Sequence, residues 1–181
     1  MRFAGIVCDT GMTQHAAVPQ EIERKFLVAN DGWRRGADTG SGLRQAYLAE
    51  TDRAVVRVRI ENGARGVLTI KSAGSGMSRQ EFEIPLKLDD AEALMALRQG
   101  SELRKTRYRA PYAGLIWEVD VYEGDNAGLV IAEVELESER QDVALPDWVG
   151  REVTGAGEYY AVRLAQRPYA SWPEAERARG G

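Results

Sequence analysis

Hydrophobic and polar residues alternate one for one along much of the chain. From Glu21 to Val28 the order is EIERKFLV, with Ile22, Phe26 and Val28 on one side and Glu21, Glu23 and Lys25 on the other. Side chains of a strand point to its two faces in turn, so this period of two predicts a β-strand with three charges on one face. The alternation returns in RAVVRVRIE, where Val56, Val58 and Ile60 oppose Arg57 and Arg59, and in VLTIKS, where Leu68 and Ile70 oppose Thr69 and Lys71. NGARG, 62–66, reads as the turn of a hairpin between them. LRQAYLAE, 43–50, is a further strand, on which Tyr47 shares a face with Gln45. SRQEFEIPL sets Arg79, Glu81 and Glu83 against Phe82 and Ile84, and LRKTRYRA carries Lys105, Arg107 and Arg109 at strand spacing. LIWEVDVYEG sets Glu118, Asp120 and Tyr122 against Trp117, Val119 and Val121. LVIAEVELES sets Glu133, Glu135 and Glu137 against Val134 and Leu136. The period changes in DDAEALMALRQ, 89–99, an amphipathic helix with Asp89 or Asp90 as its cap, and GAGEYYAVRLAQ, 155–166, reads as a short helix. The pattern predicts about eight strands and one or two helices; the mostly short connections make the sheet mainly antiparallel.

The chain has 181 residues, enough for one domain with a sizeable core. Its net charge of -4 gives no reason to expect nucleic acid or an anionic membrane as partner. The single cysteine, Cys8, excludes an internal disulfide framework and fits a reducing compartment, which suggests the cytoplasm. No apolar run approaches the roughly 18 residues of a membrane span, and the early apolar patch is too short for a signal peptide. Residues 1–19 are expected to form a loose tail, with Met12 an alternative start, 20–168 the domain, and 169–181 a second tail.

Charged strand faces usually meet solvent. Here the charges come as doublets at i and i+2, nearly pure in sign. Arg57 with Arg59 and Lys105 with Arg107 are positive; Glu81 with Glu83, Glu118 with Asp120 and Glu133 with Glu135 are negative. Like charges this close repel unless an ion or ligand lies between them. About eight strands can close into a barrel whose interior holds side chains or one small ligand. Carboxylates at this density suit a hard cation, Mg²⁺ or Mn²⁺, and Arg and Lys at this density suit phosphate oxygens. A metal together with a phosphate ligand accounts for both signs.

These blocks carry a resemblance. Glu21-x-Glu23-x-Lys25 matches the opening signature of the CYTH superfamily, the triphosphate tunnel metalloenzymes. RQAYL, VVRVRI, LTIKS, SRQEFEI, RKTRY, WEVDVY, AEVEL and EVTG follow in order, over roughly residues 20 to 165. The resemblance implies an α+β, mainly β fold: an eight-stranded antiparallel β-barrel, or tunnel, with a few outer helices and loops covering its apolar outer face. It implies that the lumen binds triphosphate through Lys25, Arg57, Arg59, Lys71, Arg79, Lys105 and Arg107. Glu21, Glu23, Glu118, Asp120, Glu133 and Glu135 become the carboxylates among which Mg²⁺ or Mn²⁺ is held. Others of them, with Glu81 and Glu83, hold the basic side chains, and the sequence does not divide the two jobs. Lys25, Tyr47 and Glu133 are the catalytic candidates; Tyr47 either covers the substrate or is a core tyrosine. His15 and Cys8 fall in the expected tail, so catalysis by histidine or a covalent intermediate is not expected. The C-terminal block, VTGAGEYYAVRLA, departs from the family pattern: Glu158 stands where a basic residue is common and Ala161 where Asn is common. Arg163 is the expected replacement.

The resemblance to short bacterial members favours hydrolysis of inorganic triphosphate to diphosphate and phosphate. A class IV adenylyl cyclase, a thiamine or nucleoside triphosphatase, and a non-catalytic polyphosphate-binding module are the alternatives. The expected partner is a small-molecule triphosphate; a homodimer stays open. Trp33, in an outer loop, is the residue most able to stack a ring over the entrance.

Overall fold

The computed structural model describes residues 20–74 and 77–177; the expectations for Cys8, Met12, His15 and the N-terminal tail lie outside them. Nine strands form one antiparallel sheet in the order β5-β4-β3-β2-β6-β7-β8-β1-β9, and pairing of β5 with β1 closes eight of them into a barrel. The strands are β1 (Gln20–Val28), β2 (Ser41–Glu50), β3 (Ala54–Glu61), β4 (Arg65–Ser72), β5 (Ser78–Leu86), β6 (Gln99–Tyr112), β7 (Leu115–Tyr122), β8 (Val130–Glu135) and β9 (Val149–Glu152). The helices are α1 (Leu88–Met95), α2 (Ala161–Gln166) and α3 (Glu174–Arg177). None is long and apolar enough to cross a membrane.

The hairpin expected between β3 and β4 forms on Asn62 and Gly63, both at positive φ, with Ala64 N–H donating to the Glu61 carbonyl over 2.9 Å. Two consecutive positive φ values match the right-handed twist of the flanking strands, which is why Asn-Gly suits this turn. Cross-strand register then decides which side chains share a face. Arg57 lies opposite Thr69 and Tyr47, Arg59 opposite Gln45, and Glu118 opposite both Glu133 and Arg109. All the charged faces thereby turn into one lumen.

β1 divides one of its edges. Its first residues, Gln20 to Ile22, pair with β5, whereas Phe26 and Val28 pair with β9, a strand the sequence pattern did not predict. In the gap, Lys25 N–H donates to Thr154 Oγ1, and Val153 N–H donates to the Lys25 carbonyl. The backbone beside Lys25 is thus fully paired although no strand faces it there.

The apolar outer face is covered in two places. α1 sets Ala91 and Met95 on Ala46, Val58 and Ile60. The loops after β1 and β8 bring Trp33 and Trp148 onto Phe26, Trp117, Val119 and Val134. On β5 the expected cover is missing: Phe82 and Ile84 are 45% and 46% exposed, because α1 ends over β2–β4. α1 is also shorter than expected. It starts after Lys87, which makes no side-chain cap, and Asp89 and Asp90 sit in its first turn, where negative charge suits the helix dipole. The residues from Gln99 belong to β6, since Gly100 at φ +73 turns the chain there; a Cβ on it would come 2.6 Å from the Ala165 carbonyl oxygen of α2.

The stretch from Tyr169, expected to be a tail, continues the fold to the end of α3. Trp172 is 3% exposed, with its ring 5.2 Å from those of Tyr159 and Tyr169, and its indole N–H donates to the Arg167 carbonyl. Two aromatic neighbours and a partner for the indole provide what a buried tryptophan needs.

Candidate active site

The barrel interior changes character along its axis. At one end Leu27, Tyr47, Leu103, Tyr122, Leu129 and Ile131 pack against Tyr159, Leu164, Ala165 and Trp172, so an apolar floor and α2 close the tunnel. Above this floor opens a cavity of about 1090 Å³, lined by Lys25, Arg57, Arg59, Lys71, Arg79, Lys105, Arg107, Glu21, Glu23, Glu118, Glu133 and Glu135. The sequence-predicted site therefore comes together almost whole.

The deepest charged group is Asp120, which is 0% exposed. Arg107 holds it through Nε–Oδ1 and Nη2–Oδ2 bonds of 2.7 Å each, and Lys105 Nζ donates to the same carboxylate. Arg107 also donates to Glu133 over 2.8 Å and to Glu118, and Lys25 donates to Glu133. Burial disfavours ionisation of Asp120 and Glu133, but their cationic partners outweigh it and hold both below the usual carboxylate range. Burial likewise opposes the charge on Lys25, and Glu133 and Glu23 more than restore it. Lys105 goes the other way: burial and the neighbouring Arg107 pull it down to about 8.

On the opposite wall the cations are held more loosely. Lys71 bridges Glu21 at 2.5 Å and Glu81 at 2.9 Å, and Arg79 reaches Glu23 at 3.2 Å. Arg57 bonds Thr69 Oγ1 through Nη2, and Arg59 bonds Glu61 and Glu83 through Nη2. The Nε groups of Arg57 and Arg59 are buried and make no hydrogen bond among the described residues. Each such unmet donor costs on the order of 1–3 kcal/mol, so these two arginines suit an added acceptor. Burial and Arg57 together make the Arg59 charge harder to keep.

The carboxylates do not gather into a ready-made cation site. Among the described residues no three acidic side chains stand at metal-binding geometry. Asp120 and Glu133, expected among the metal carboxylates, are instead taken up by Lys25, Lys105 and Arg107. Glu135 differs: among the described residues it forms no ion pair, and burial, then Glu118, Glu21 and Glu23, push its carboxyl up. Burial also raises Glu21, against the pull of Lys71. The mouth around Glu135 therefore has the charge to attract a cation.

Two expectations need correction. Arg163 lies outside the lumen, about half exposed and bonded to Glu50 at 2.8 Å, because Leu164 and Ala165 occupy the buried face of α2. Trp33 forms no wall at the entrance; it is buried in the outer core, 5.0 Å from the Tyr108 ring. Tyr160, Ala161 and Val162 also line the lumen, and Tyr160 stacks on Arg79 at 5.3 Å. Gln45, on the same face of β2 as Tyr47, is fully buried with no partner for its amide among the described residues, and the sequence did not single it out. It is neutral among charges, and its only signal was the shared parity with Tyr47.

The CYTH domain model matches residues 19–169. The chain belongs to the CYTH family. Its CYTH domain is 40% identical over 156 residues to the inorganic triphosphatase of Acetivibrio thermocellus, covering 86% of this chain and 99% of that protein. It is also 40% identical over 149 residues to the inorganic triphosphatase of Nitrosomonas europaea, covering 80% and 96%. Among solved structures it is similar to the inorganic triphosphatase NE1496, with a TM-score of 0.60, 36% identity, and coverage of 84% of this chain and 96% of that one.

Proposed function

We propose that this CYTH domain hydrolyses inorganic triphosphate to diphosphate and phosphate in the cytoplasm, with Mg²⁺ or Mn²⁺ as cofactor. The observation that carries the reading is the wall of basic side chains lining the cavity, two of whose arginines, Arg57 and Arg59, keep a buried Nε with no hydrogen-bond partner among the described residues. Identity of 40% to two inorganic triphosphatases over nearly their whole length supports it.

The triphosphate enters at the charged mouth and stops at the apolar floor. Arg57 and Arg59 offer forked donors to its oxygens, and Lys25, Lys71, Lys105, Arg79 and Arg107 complete the cationic wall. Each of these cations except the free Nε groups already has a carboxylate or hydroxyl partner, so the wall is positioned before the substrate arrives. Glu133 fixes Lys25 and Arg107 together, which assigns it a structural share in catalysis. Glu135, Glu21, Glu23 and Glu118 would hold the cation, directly or through water. When bound, the cation supplies charge neutralisation and a more acidic water. Water adds to the terminal phosphorus as the bond to the bridging oxygen breaks; the cations stabilise charge on the transferring group and on the departing diphosphate. Tyr47 and Tyr122 close the inner end and keep bulk water out. No covalent enzyme intermediate is required.

The test is phosphate release from triphosphate, with Mg²⁺, with Mn²⁺, and in excess chelator. The expected result is one phosphate and one diphosphate per triphosphate, with turnover abolished by chelator and restored by either ion. Full turnover in chelator removes the cation from the mechanism.

A further inference from the structure

The unmet polar groups of the lumen concentrate in one layer. Gln45 is 0% exposed, and neither its side-chain oxygen nor its nitrogen has a hydrogen-bond partner among the described residues. Register places Gln45 directly opposite Arg59 on β3 and opposite Leu103 on β6; Arg59 lines the cavity, and Gln45 lies behind that lining. Directly opposed residues on one face of an antiparallel pair have Cβ atoms about 4.5–5.5 Å apart, within reach of two long side chains. The Nε groups of Arg59 and Arg57, on the same wall, are unmet as well. Among the described residues Arg59 is tethered through Nη2, to Glu61 and Glu83. A buried carboxamide has one acceptor and two donors to satisfy, and here all are idle.

We propose that Gln45 is the positioning residue of the innermost phosphate subsite: its Oε1 accepts from Arg59 Nε when a polyanion draws that arginine inward, and its amide N–H donors then face the phosphoryl oxygen. The proposal rests on the triphosphate reading of the cavity. An amide suits the place because it serves a cation and an anion at once. A carboxylate there would keep the arginine but repel the phosphate, and an aliphatic side chain would serve neither. Leu103 lies opposite Gln45 on β6, and Tyr47 follows it on the same face of β2.

The experiment compares wild type with Gln45→Leu and Gln45→Glu. Melting temperature is read in chelator with and without triphosphate, and kcat and KM are read with Mg²⁺. Gln45→Leu should melt no lower than wild type without ligand, because an unpaired buried amide gives way to an apolar group of similar size. Its stabilisation by triphosphate should shrink, and its kcat/KM should fall by about tenfold or more. Gln45→Glu should be slower still near neutral pH. Its ratio to wild type should recover as the pH is lowered toward about 5, because a protonated carboxyl can again donate to phosphate. A purely structural glutamine would not produce that relative pH profile. Wild-type kcat/KM in Gln45→Leu, or equal losses in both variants with no recovery at low pH, overturns the proposal. If wild type itself neither hydrolyses triphosphate nor is stabilised by it, the functional reading fails instead.

Discussion

Arg107 grips Asp120 through two parallel hydrogen bonds of 2.7 Å, and Asp120 has no contact with solvent. Buried Lys105 and partly buried Arg107 share that carboxylate. Removing Asp120 takes the carboxylate from buried Lys105, whereas Arg107 keeps Glu118 and Glu133; breaking a buried pair typically costs about 3–5 kcal/mol. Asp120→Ala should therefore lower the melting temperature by about 6 °C or more, at the usual 2–4 °C per kcal/mol for a chain of this size. Triphosphate should recover part of the loss, because it supplies negative charge to the same wall. Calorimetry with and without triphosphate checks this, and an unchanged melting temperature in Asp120→Ala would show that the pair carries no structural load.

Arg57→Ala and Arg59→Ala should behave in the opposite sense. Each removes a donor from the wall proposed to bind triphosphate, so the transition state should lose at least ~2–3 kcal/mol in kcat/KM, the scale of losing one preorganised donor. Neither variant should melt lower without ligand, since the two guanidinium groups lie side by side and burial works against the Arg59 charge. Steady-state kinetics beside a melting curve separates the two effects. Wild-type kinetics in both variants would remove this wall from the site.

The barrel was largely legible in the sequence because its charge is inside. In β3 and β7 the lumen face carries charge and the outer face is apolar, so the alternation had full contrast; β1 departs from it at Arg24, which lies with Phe26 on the outer face and pairs with Glu152. β9 was hidden because VGRE has only four residues and no alternation. Arg163 was misplaced because helical spacing alone does not say which face of α2 turns outward. Trp172 and Tyr169 looked like part of a tail, although aromatic residues there signal packing. Gln45 escaped because an amide between charges carries no charge of its own to align with the doublets.

Trp172→Ala tests how firmly the C-terminal segment is part of the fold. The lost ring is 3% exposed and packs on Tyr159 and Tyr169 beneath the closed tunnel end. Truncating a buried tryptophan typically costs about 3–5 kcal/mol, and urea unfolding should show a loss on that scale. A loss below about 1 kcal/mol would mean the floor stands without it.

Glu135 links cation binding to pH. Burial and the neighbouring Glu118, Glu21 and Glu23 make its carboxyl harder to ionise in the fold. A group shifted in this direction favours folding below the unfolded carboxylate range and opposes it as pH rises through the raised folded value. At neutral pH without cation, Glu135→Gln should therefore melt no lower than wild type and up to a few degrees higher, while its activity should need more Mg²⁺. In wild type, cation binding should weaken as pH falls from about 6 to about 4, as the proton competes for the carboxylate. Titration calorimetry at several pH values checks the linkage; identical Mg²⁺ dependence in wild type and Glu135→Gln would take Glu135 out of the cation site.

Substrate choice is the central claim, and the lumen favours a bare polyphosphate. Its wall is cationic and its floor closed. Apolar and aromatic side chains, among them Ile70, Phe82, Ile84 and Tyr160, line the cavity beside the charges, so the preference rests on the cations and not on a lack of apolar surface. The direct measurement is competition between inorganic triphosphate and ATP in one reaction with Mg²⁺, following phosphate, diphosphate and cyclic AMP together. The account predicts a kcat/KM for triphosphate at least about tenfold above that for ATP, roughly 1.4 kcal/mol in the transition state, with diphosphate and phosphate as products and no cyclic AMP. Preference for ATP, with diphosphate and cyclic AMP released in equal amounts, would contradict it.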